Sequence, residues 1–268
     1  MAGPSIALIG AGRMGAALAS GWLAGRGKPD IRIQDPKPSE TVTEWAGAGK
    51  VSLNPEPEPV DVLVIAVKPQ VFPKMAESLK PWIGPQTLVL SIMAGTRLKQ
   101  LTERLGTGHV IRVMPNTPGA IGKGVSVMAK SDIVMAKQLE IAGKLLKPLG
   151  EVIGPVDEKH MSVVTGLSGS GPAYVFLMAE AMADAAMAEG LPAELAEQLA
   201  ALTIEGAAAL MVQSDEAPSA LRKAVTSPGG TTQAALDILM DEGGMPILMR
   251  KAIRAAANRD RELSRDTD

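Results

Sequence analysis

At 268 residues the chain is long enough to bury a sizeable core and to form two domains. With 46% hydrophobic and 21% charged residues and a formal net charge of -2, it has neither the basic footprint of a nucleic-acid-binding protein nor an acidic tail. It contains no cysteine, which excludes disulfides, thiolate metal sites and a cysteine nucleophile. Aromatic residues make up 2% while methionines number 15, so the core is expected from aliphatic helices in close contact, with Met as filler. Few residues precede the first expected strand, and they show no basic leader or small-residue cleavage site. No apolar run reads as membrane-spanning, and the expectation is a cytoplasmic protein with no membrane contact.

The chain opens with SIALIGAGRMGAAL. Ile6, Leu8 and Ile9 predict a buried strand, and Gly10, Gly12 and Gly15 follow with the spacing G-x-G-x-x-G before an alanine-rich helical run. Gly10 permits a tight turn, Gly12 lets the backbone approach a pyrophosphate, and Gly15 lets the helix pack close on the sheet. The free N–H groups and positive dipole end of that helix then face the phosphates. Asp35 follows the alternating run Ile31, Arg32, Ile33, where a carboxylate can meet a ribose. Glycines in such a turn serve either a dinucleotide or the turn alone; the flanking strand and helix patterns and Asp35 favour the dinucleotide.

Strand and helix patterns then alternate: a helix over 41–48, the apolar strand VDVLVIAV over 60–67, a helix over 70–79 and a strand over 87–91. A helix over 98–105, strands over 110–114 and 124–128, a helix over 133–146 and a strand over 151–153 complete this half. The pattern predicts a doubly wound sheet, whose ligands bind beyond the carboxyl ends of the strands. Those ends carry Gly10 to Gly15, AVKP (66–69), SIMAG (91–95) and MPNTP (114–118). Beyond residue 157 only helical runs recur, over 172–189, 192–212, 218–225, 231–241 and 246–263, four of them beginning at or beside proline. The run PAYVFLMAEAMADAAMAE is apolar around most of its circumference, so either a partner subunit or its own neighbours must cover it. The polar tail over 258–268 reads as frayed and without signal.

The stretch TSPGGTT (226–232) opens a helix, so Gly229, Gly230, Thr231 and Thr232 are expected to present consecutive N–H groups to a carboxylate or phosphate. Standing alone, it reads equally well as a plain loop with threonine caps.

The segment LRKAVTSPGGTTQAALDILMD (221–241) closely resembles the signature of pyrroline-5-carboxylate reductases. The resemblance runs along essentially the whole chain, through IGAGRMGAAL, AVKPQ, VIRVMPNTP and DEKHMSVVTGLSGSGPAYVF in the same order. It implies an α/β fold with an N-terminal Rossmann-type doubly wound domain over 1–156. An all-helical dimerisation and substrate domain over 157–268 would interlock with that of another subunit, in some relatives within rings of dimers. It further implies NADPH or NADH as cofactor, 1-pyrroline-5-carboxylate as substrate, and an active site between the nicotinamide and the TSPGGTT loop at the dimer interface.

Carried over residue by residue, the resemblance puts Ile9, Gly10, Ala11, Gly12, Arg13 and Met14 around the pyrophosphate, and Asp35 and Asn54 near the adenosine ribose. Ala66, Val67, Lys68 and Pro69, with Met93, Ala94 and Gly95, complete the cofactor set. Substrate positions are Glu158, Val225, Ser227, Gly230, Thr231 and Thr232, with Asp215 standing where relatives often carry Glu. Two departures stand out: Lys223 occupies a position expected to be Asp, and Asp35 one where many relatives have a small or basic residue. Reduction of a cyclic imine needs a hydride donor, a grip on the carboxylate and a hydrogen-bond partner for the ring nitrogen, for which Thr232 is the catalytic candidate. The proton comes with the imine or from water.

Other candidates have plainer readings. His109 and His160 have no ligand neighbours at metal spacing, so no metal is expected. Lys68 reads either as a cofactor contact or as a surface lysine. Glu180 and Asp184, at i and i+4, read as an exposed or subunit-contact pair. A 3-hydroxyacid dehydrogenase or related imine reductase shares the overall plan. Gly166, Gly169 and Gly171 match its G-x-x-G-x-G-x-x-x-K spacing, but Val175 replaces the proton-transferring lysine. A catalytically silent nucleotide-binding protein is the remaining alternative, and the intact TSPGGTT argues against it.

Overall fold

The computed structural model describes residues 3–25 and 29–265. Its first part alternates β1 (Ser5–Ile9), α1 (Arg13–Ala24), β2 (Asp30–Gln34), α2 (Glu40–Gly47), β3 (Ser52–Leu53), β4 (Val60–Ile65), α3 (Phe72–Leu79) and β5 (Ile83–Ser91). α4 (Leu98–Leu105), β6 (Val110–Met114), β7 (Gly124–Lys130), α5 (Ala136–Leu146) and β8 (Gly150–Ile153) follow. The strands form one sheet in the order β3-β2-β1-β4-β5-β6-β7-β8. The order reverses between β1 and β4, which creates a switch point where the carboxyl ends of these two strands diverge.

The alternation along β1 explains how the sheet is covered. Ile6 and Leu8 pack with Leu18, Trp22, Val62 and Val64 on one face, whereas Ala7 and Ile9 pack with Leu63, Ile65, Phe72 and Trp82 on the other. The near-continuous apolar run of β4 is thus buried on both sides, as a parallel strand requires. On the first face the Trp22 indole N–H donates to the Leu145 carbonyl at 2.8 Å, joining α1 to α5.

The doubly wound sheet expected from the pattern is present, and it is mixed, because β7 runs antiparallel to β6. The connection between them holds only a 3-10 turn over Thr117–Ile121, too short for the helical crossover that a parallel pair needs. β5 begins at Ile83, before the expected residue 87, although Gly84 and Pro85 read as strand breakers. The register shifts there, and the Thr87 hydroxyl spans the irregularity by accepting from Gly84 N and donating to the Val60 carbonyl. The two-residue β3 was too short to show a periodicity.

The remaining elements are helical: α6 (Met161–Val164), a π-helical turn over Thr165–Gly169, α7 (Gly171–Ala188), α8 (Ala193–Gln213), α9 (Pro218–Ala224), α10 (Thr231–Leu239) and α11 (Met245–Arg265). The chain separates into two compact units, 1–169 with 255–268, and 170–254. The expected division after residue 156 therefore moves, since long-range bonds tie 157–169 and the end of α11 to the sheet unit. The expectation of a frayed tail fails through residue 265. α11 continues to Arg265, and Ala257, Asp260 and Ser264 on it are buried; residues 266–268 lie outside the described residues.

In the helical unit α7 and α8 pack on each other through small residues. Its buried core is Ala183, Ala196 and Ala200, flanked by Ala186 and Met187. Phe176, Leu177, Leu202, Leu210 and Ile238 remain exposed. The chain's own helices therefore leave α7 uncovered. α8 also corrects the expectation about membrane-length runs: it is 21 residues long and contains an 18-residue window of mean hydropathy 1.4, enough to cross a membrane by length and composition. Glu194, Glu197 and Glu205 interrupt the run, while the alanines and leucines between them raise its mean hydropathy.

Candidate functional site

Strand β1 ends in a backbone turn that only glycine adopts comfortably. Gly10 has φ +90 and lies so close to Ala66 that a Cβ would come 2.9 Å from its carbonyl oxygen. A Cβ on Gly15 would collide with the Gly10 carbonyl oxygen, so α1 reaches the turn only because residue 15 has no side chain. Gly12, the N-cap of α1, has open space where its Cβ would be, and no side chain caps the helix. Unpaired N–H groups beside an uncrowded backbone suit a pyrophosphate.

A cleft of about 860 Å³ runs along this turn. Of the expected cofactor residues, Ile9, Gly10, Gly12, Asp35, Ala66, Val67 and Lys68 line it. Sequence reasoning missed Gln34 and Val71 among its walls, which also include Pro36 and Lys37 beside Asp35. Gln34 Oε1 is buried without a hydrogen-bond partner, a signal visible only in three dimensions. The charged Lys37 and Lys68 lie on the same walls, so an anionic dinucleotide fits both the shape and the chemistry of the cleft.

Asp35 is tied to the glycine turn. Its Oδ2 accepts from Ala11 N at 2.7 Å and its Oδ1 from Lys37 N at 2.8 Å. Asn54, expected near the ribose, does not line the cleft; it braces Asp35 from behind. Its Oδ1 accepts from Asp35 N at 2.9 Å, its Nδ2 donates to Asp35 O at 3.0 Å, and its φ is +49. Arg13 and Met14 belong to the first turn of α1 and Pro69 follows the β4 end, all outside the cleft walls. Met93 is buried in the core, Ala94 packs against it, and Gly95, with φ +69, lies under Leu263 of α11. These three do not line the cleft either.

Glu158 also lies in the sheet unit. Its carboxylate accepts from Leu98 N at 2.7 Å and lies 3.5 Å from the Arg112 guanidinium. Next to it, Asp157 bonds both Lys159 N and the Lys159 ammonium, which holds its carboxyl below the ordinary range.

The helical unit carries the other expected residues. Gly229 has φ +67, and the turn it makes directs Gly230 N onto Ser227 O at 3.0 Å. The expected run of four free amides is thereby corrected, since that of Gly230 is used within the turn. Gly230 is the N-cap of α10 and no side chain caps it, so the amides of Thr231 and Thr232 lack intrahelical partners. The plain-loop reading with threonine caps does not describe this turn. Thr232 is half-buried, while Ser227, Val225 and Asp215 are exposed. Lys223, with Arg222, sits in the last turn of α9, where a cation meets the negative end of the helix dipole.

The other candidates occupy plain surroundings. His109 Nδ1 lies 3.1 Å from Gln138 Oε1, and among the described residues no group of three His, Cys, Asp or Glu side chains is placed to hold a metal. Glu180 and Asp184 are exposed beside Glu197. Gly166 and Gly169 belong to the π-helical turn, and Val175 is partly exposed on α7.

An open glycine turn at a switch point, backed by a carboxylate at the end of the second strand, defines a dinucleotide-binding α/β protein with an added helical unit. Comparison with known proteins narrows this class. Residues 158–263 match the family model described as pyrroline-5-carboxylate reductase dimerisation, and residues 5–95 match one described as NADP oxidoreductase, coenzyme F420-dependent. The chain is 40% identical over 264 residues to pyrroline-5-carboxylate reductase of Arabidopsis thaliana, covering 97% of this chain and 95% of that one. It is 40% identical over 271 residues to the Pseudomonas aeruginosa enzyme, covering 98% of each. The solved pyrroline-5-carboxylate reductase of Coxiella burnetii superposes with a TM-score of 0.89 at 32% identity, over 97% of this chain and 98% of that one. The chain belongs to the pyrroline-5-carboxylate reductase family.

The bracing of Asp35 generates a test of the site's architecture. Asn54→Ala removes two hydrogen bonds and leaves alanine at a positive φ, so the expected loss is about 2 kcal/mol in urea unfolding. Asn54→Gly relieves the backbone and should lose less. Equal stability of both variants and the parent would show that Asn54 does not brace the loop.

Proposed function

We propose that this protein is a pyrroline-5-carboxylate reductase that uses NAD(P)H to reduce the C=N bond of 1-pyrroline-5-carboxylate to L-proline, the last step of proline biosynthesis. The observation that carries the reading is the TSPGGTT turn, uncapped at the N-terminus of α10, in a chain that also holds an open dinucleotide cleft. When bound, the nicotinamide supplies the hydride; a solved relative from Plasmodium falciparum, 27% identical with a TM-score of 0.83 over 98% of this chain and 99% of that one, is described with NADP bound.

The chain's own residues supply grip and orientation. The amides of Thr231 and Thr232 hold the substrate carboxylate at the positive end of α10. The Thr232 hydroxyl meets the ring nitrogen, whose proton arrives with the imine or from water. Ser227 and Gly230 shape the turn, Val225 offers an apolar surface to the ring carbons, and Asp215 takes the position where relatives carry Glu. The reaction needs no nucleophile, and positioning accounts for most of its rate. Val175, at the place of a proton-transferring lysine, speaks against carbonyl reduction.

The working unit in this reading is a homodimer built from the helical units, and a ring of such dimers is compatible with it. The apolar side chains left bare on α7 and α8 support a protein partner, since each large one buried contributes about 1.5–3 kcal/mol. The same partner gives α8 a covering other than lipid, which supports a cytoplasmic protein without membrane contact.

Three outcomes are expected. Thr232→Ala lowers kcat/KM for the imine about tenfold to a hundredfold, the worth of one charge-assisted hydrogen bond, with dinucleotide affinity nearly unchanged; full activity would remove Thr232 from the mechanism. Light scattering reports a dimer or larger assembly at assay concentrations, and a stable, active monomer would refute the interlocked unit. NADH is accepted at least as well as NADPH, because the Asp35 carboxylate faces the cleft as a like charge to a 2′-phosphate. Asp35→Ser shifts the ratio of kcat/KM values toward NADPH by about tenfold, or about 1.4 kcal/mol. It also weakens both cofactors, because Ala11 N loses its acceptor. A strong NADPH preference that Asp35→Ser leaves unchanged would separate this carboxylate from cofactor choice.

A further inference from the structure

A second cavity, of about 250 Å³, lies in the sheet unit and shares no wall residue with the dinucleotide cleft. Four cations, Arg97, Arg112, Lys159 and Arg261, line it against a single carboxylate, Glu158. They come from separate parts of the chain. Arg97 is the N-cap of α4, Arg112 lies in β6, Lys159 belongs to the 3-10 turn before α6, and Arg261 is on α11. Folding therefore gathers like charges that sequence distance would keep apart, and their repulsion costs stability unless counter-charge offsets it.

The partners within the chain offset only part of it. Lys159 pairs with Asp157, and the Arg112 guanidinium lies 3.5 Å from Glu158 and 3.6 Å from Asp260. Among the described residues neither Arg97 nor Arg261 pairs with a carboxylate; Arg261 donates to the uncharged Asn258 Oδ1 at 2.6 Å. Arg112 is the buried member of the wall. Its side chain is 4% exposed, and its Nη2 makes no hydrogen bond. A buried guanidinium N–H without an acceptor is costly, and an anion entering the cavity can supply one. Ser162 adds a hydroxyl to the same walls, and the positive end of the α4 dipole faces the same way as the cations.

We propose that this cavity binds a small tetrahedral oxyanion, either free phosphate or the phosphate group of a small metabolite. Guanidinium forks match phosphate oxygens in paired hydrogen bonds. A carboxylate offers two coplanar oxygens, enough for one fork, whereas a tetrahedral anion presents oxygens to donors arriving from several directions. The volume is room for about eight waters, so a phosphate monoester fits as well as the bare ion. Bound there, the anion ties the start of α4, β6, the segment after β8 and α11 to one another, and its direct effect is to stabilise the sheet unit.

The test uses the full chain. Inorganic phosphate, glycerol phosphate and acetate are titrated by calorimetry at constant low ionic strength, with and without saturating NADPH. The phosphates are expected to bind with Kd of about 1–10 mM and acetate at least about tenfold more weakly. At ten times Kd, phosphate raises Tm by about 3–5 °C. Arg97→Ala and Arg261→Ala, both at exposed positions, should each weaken phosphate about fivefold to tenfold while leaving Tm in chloride unchanged. Glycerol phosphate binding about tenfold tighter than phosphate makes a monoester the ligand, and equal affinities make it the free ion. Displacement of phosphate by NADPH would place the anion in the dinucleotide cleft, and its loss in Thr232→Ala would place it at the α10 turn; either overturns the proposal. Undiminished binding in the double variant Arg97→Ala with Arg261→Ala overturns it too, as does acetate binding as tightly as phosphate, or no phosphate binding up to about 50 mM.

Discussion

Helix α1 meets the end of β1 at a distance that leaves no room for a side chain, and the architecture of the sheet unit depends on that approach. A Cβ at residue 15 would collide with the Gly10 carbonyl oxygen, and one at residue 10 would press on Ala66 at the end of β4. The two strands that flank the switch point and the helix that follows the first of them are therefore locked around bare backbone. Gly12, in contrast, faces open space. Three glycines in one short turn thus serve two purposes: 10 and 15 close the protein on itself, and 12 leaves the backbone accessible to an anion at the helix N-terminus.

The wall of this crevice is held by hydrogen bonds from outside it. Asn54, in a left-handed conformation after β3, clasps both backbone groups of Asp35, whose carboxylate then accepts the amides of Ala11 and Lys37. A carboxylate so engaged is fixed in direction, which matters for choosing between ligands that differ by one phosphate. Elsewhere in the sheet unit, Arg112 of β6 pairs with Glu158 and Asp260, which come from beyond the last strand. The carboxylate on the cleft wall is thus set in direction by a residue that does not itself line the cleft.

The helical unit follows a different logic. Alanine at positions 183, 196 and 200 lets α7 and α8 approach closely but buries little apolar surface. Its large side chains point outward, which is unstable for a lone copy and suited to association. The catalytic candidate Thr232 sits in this unit, at a turn whose geometry is local and does not depend on that apolar core.

Much of this was legible in the sequence, because much of it is local. Apolar alternation and run length identified the strands of the sheet, and α4 and β6 fall where periodicity placed them, because burial on two faces leaves a pattern within a few residues. Gly10, Gly12, Gly15 and the TSPGGTT turn were readable because glycine spacing reports backbone conformation directly. The antiparallel turn of β7, the bracing role of Asn54, the unpartnered oxygen of Gln34 and the burial of Asp260 were not readable. Each depends on which distant strand or helix lies alongside, and no period within one segment encodes that. Residues 258–265 show the difference most plainly: their charges look like a solvated end, and only the packing of α11 on Gly95 and Arg112 puts one of those charges in the interior.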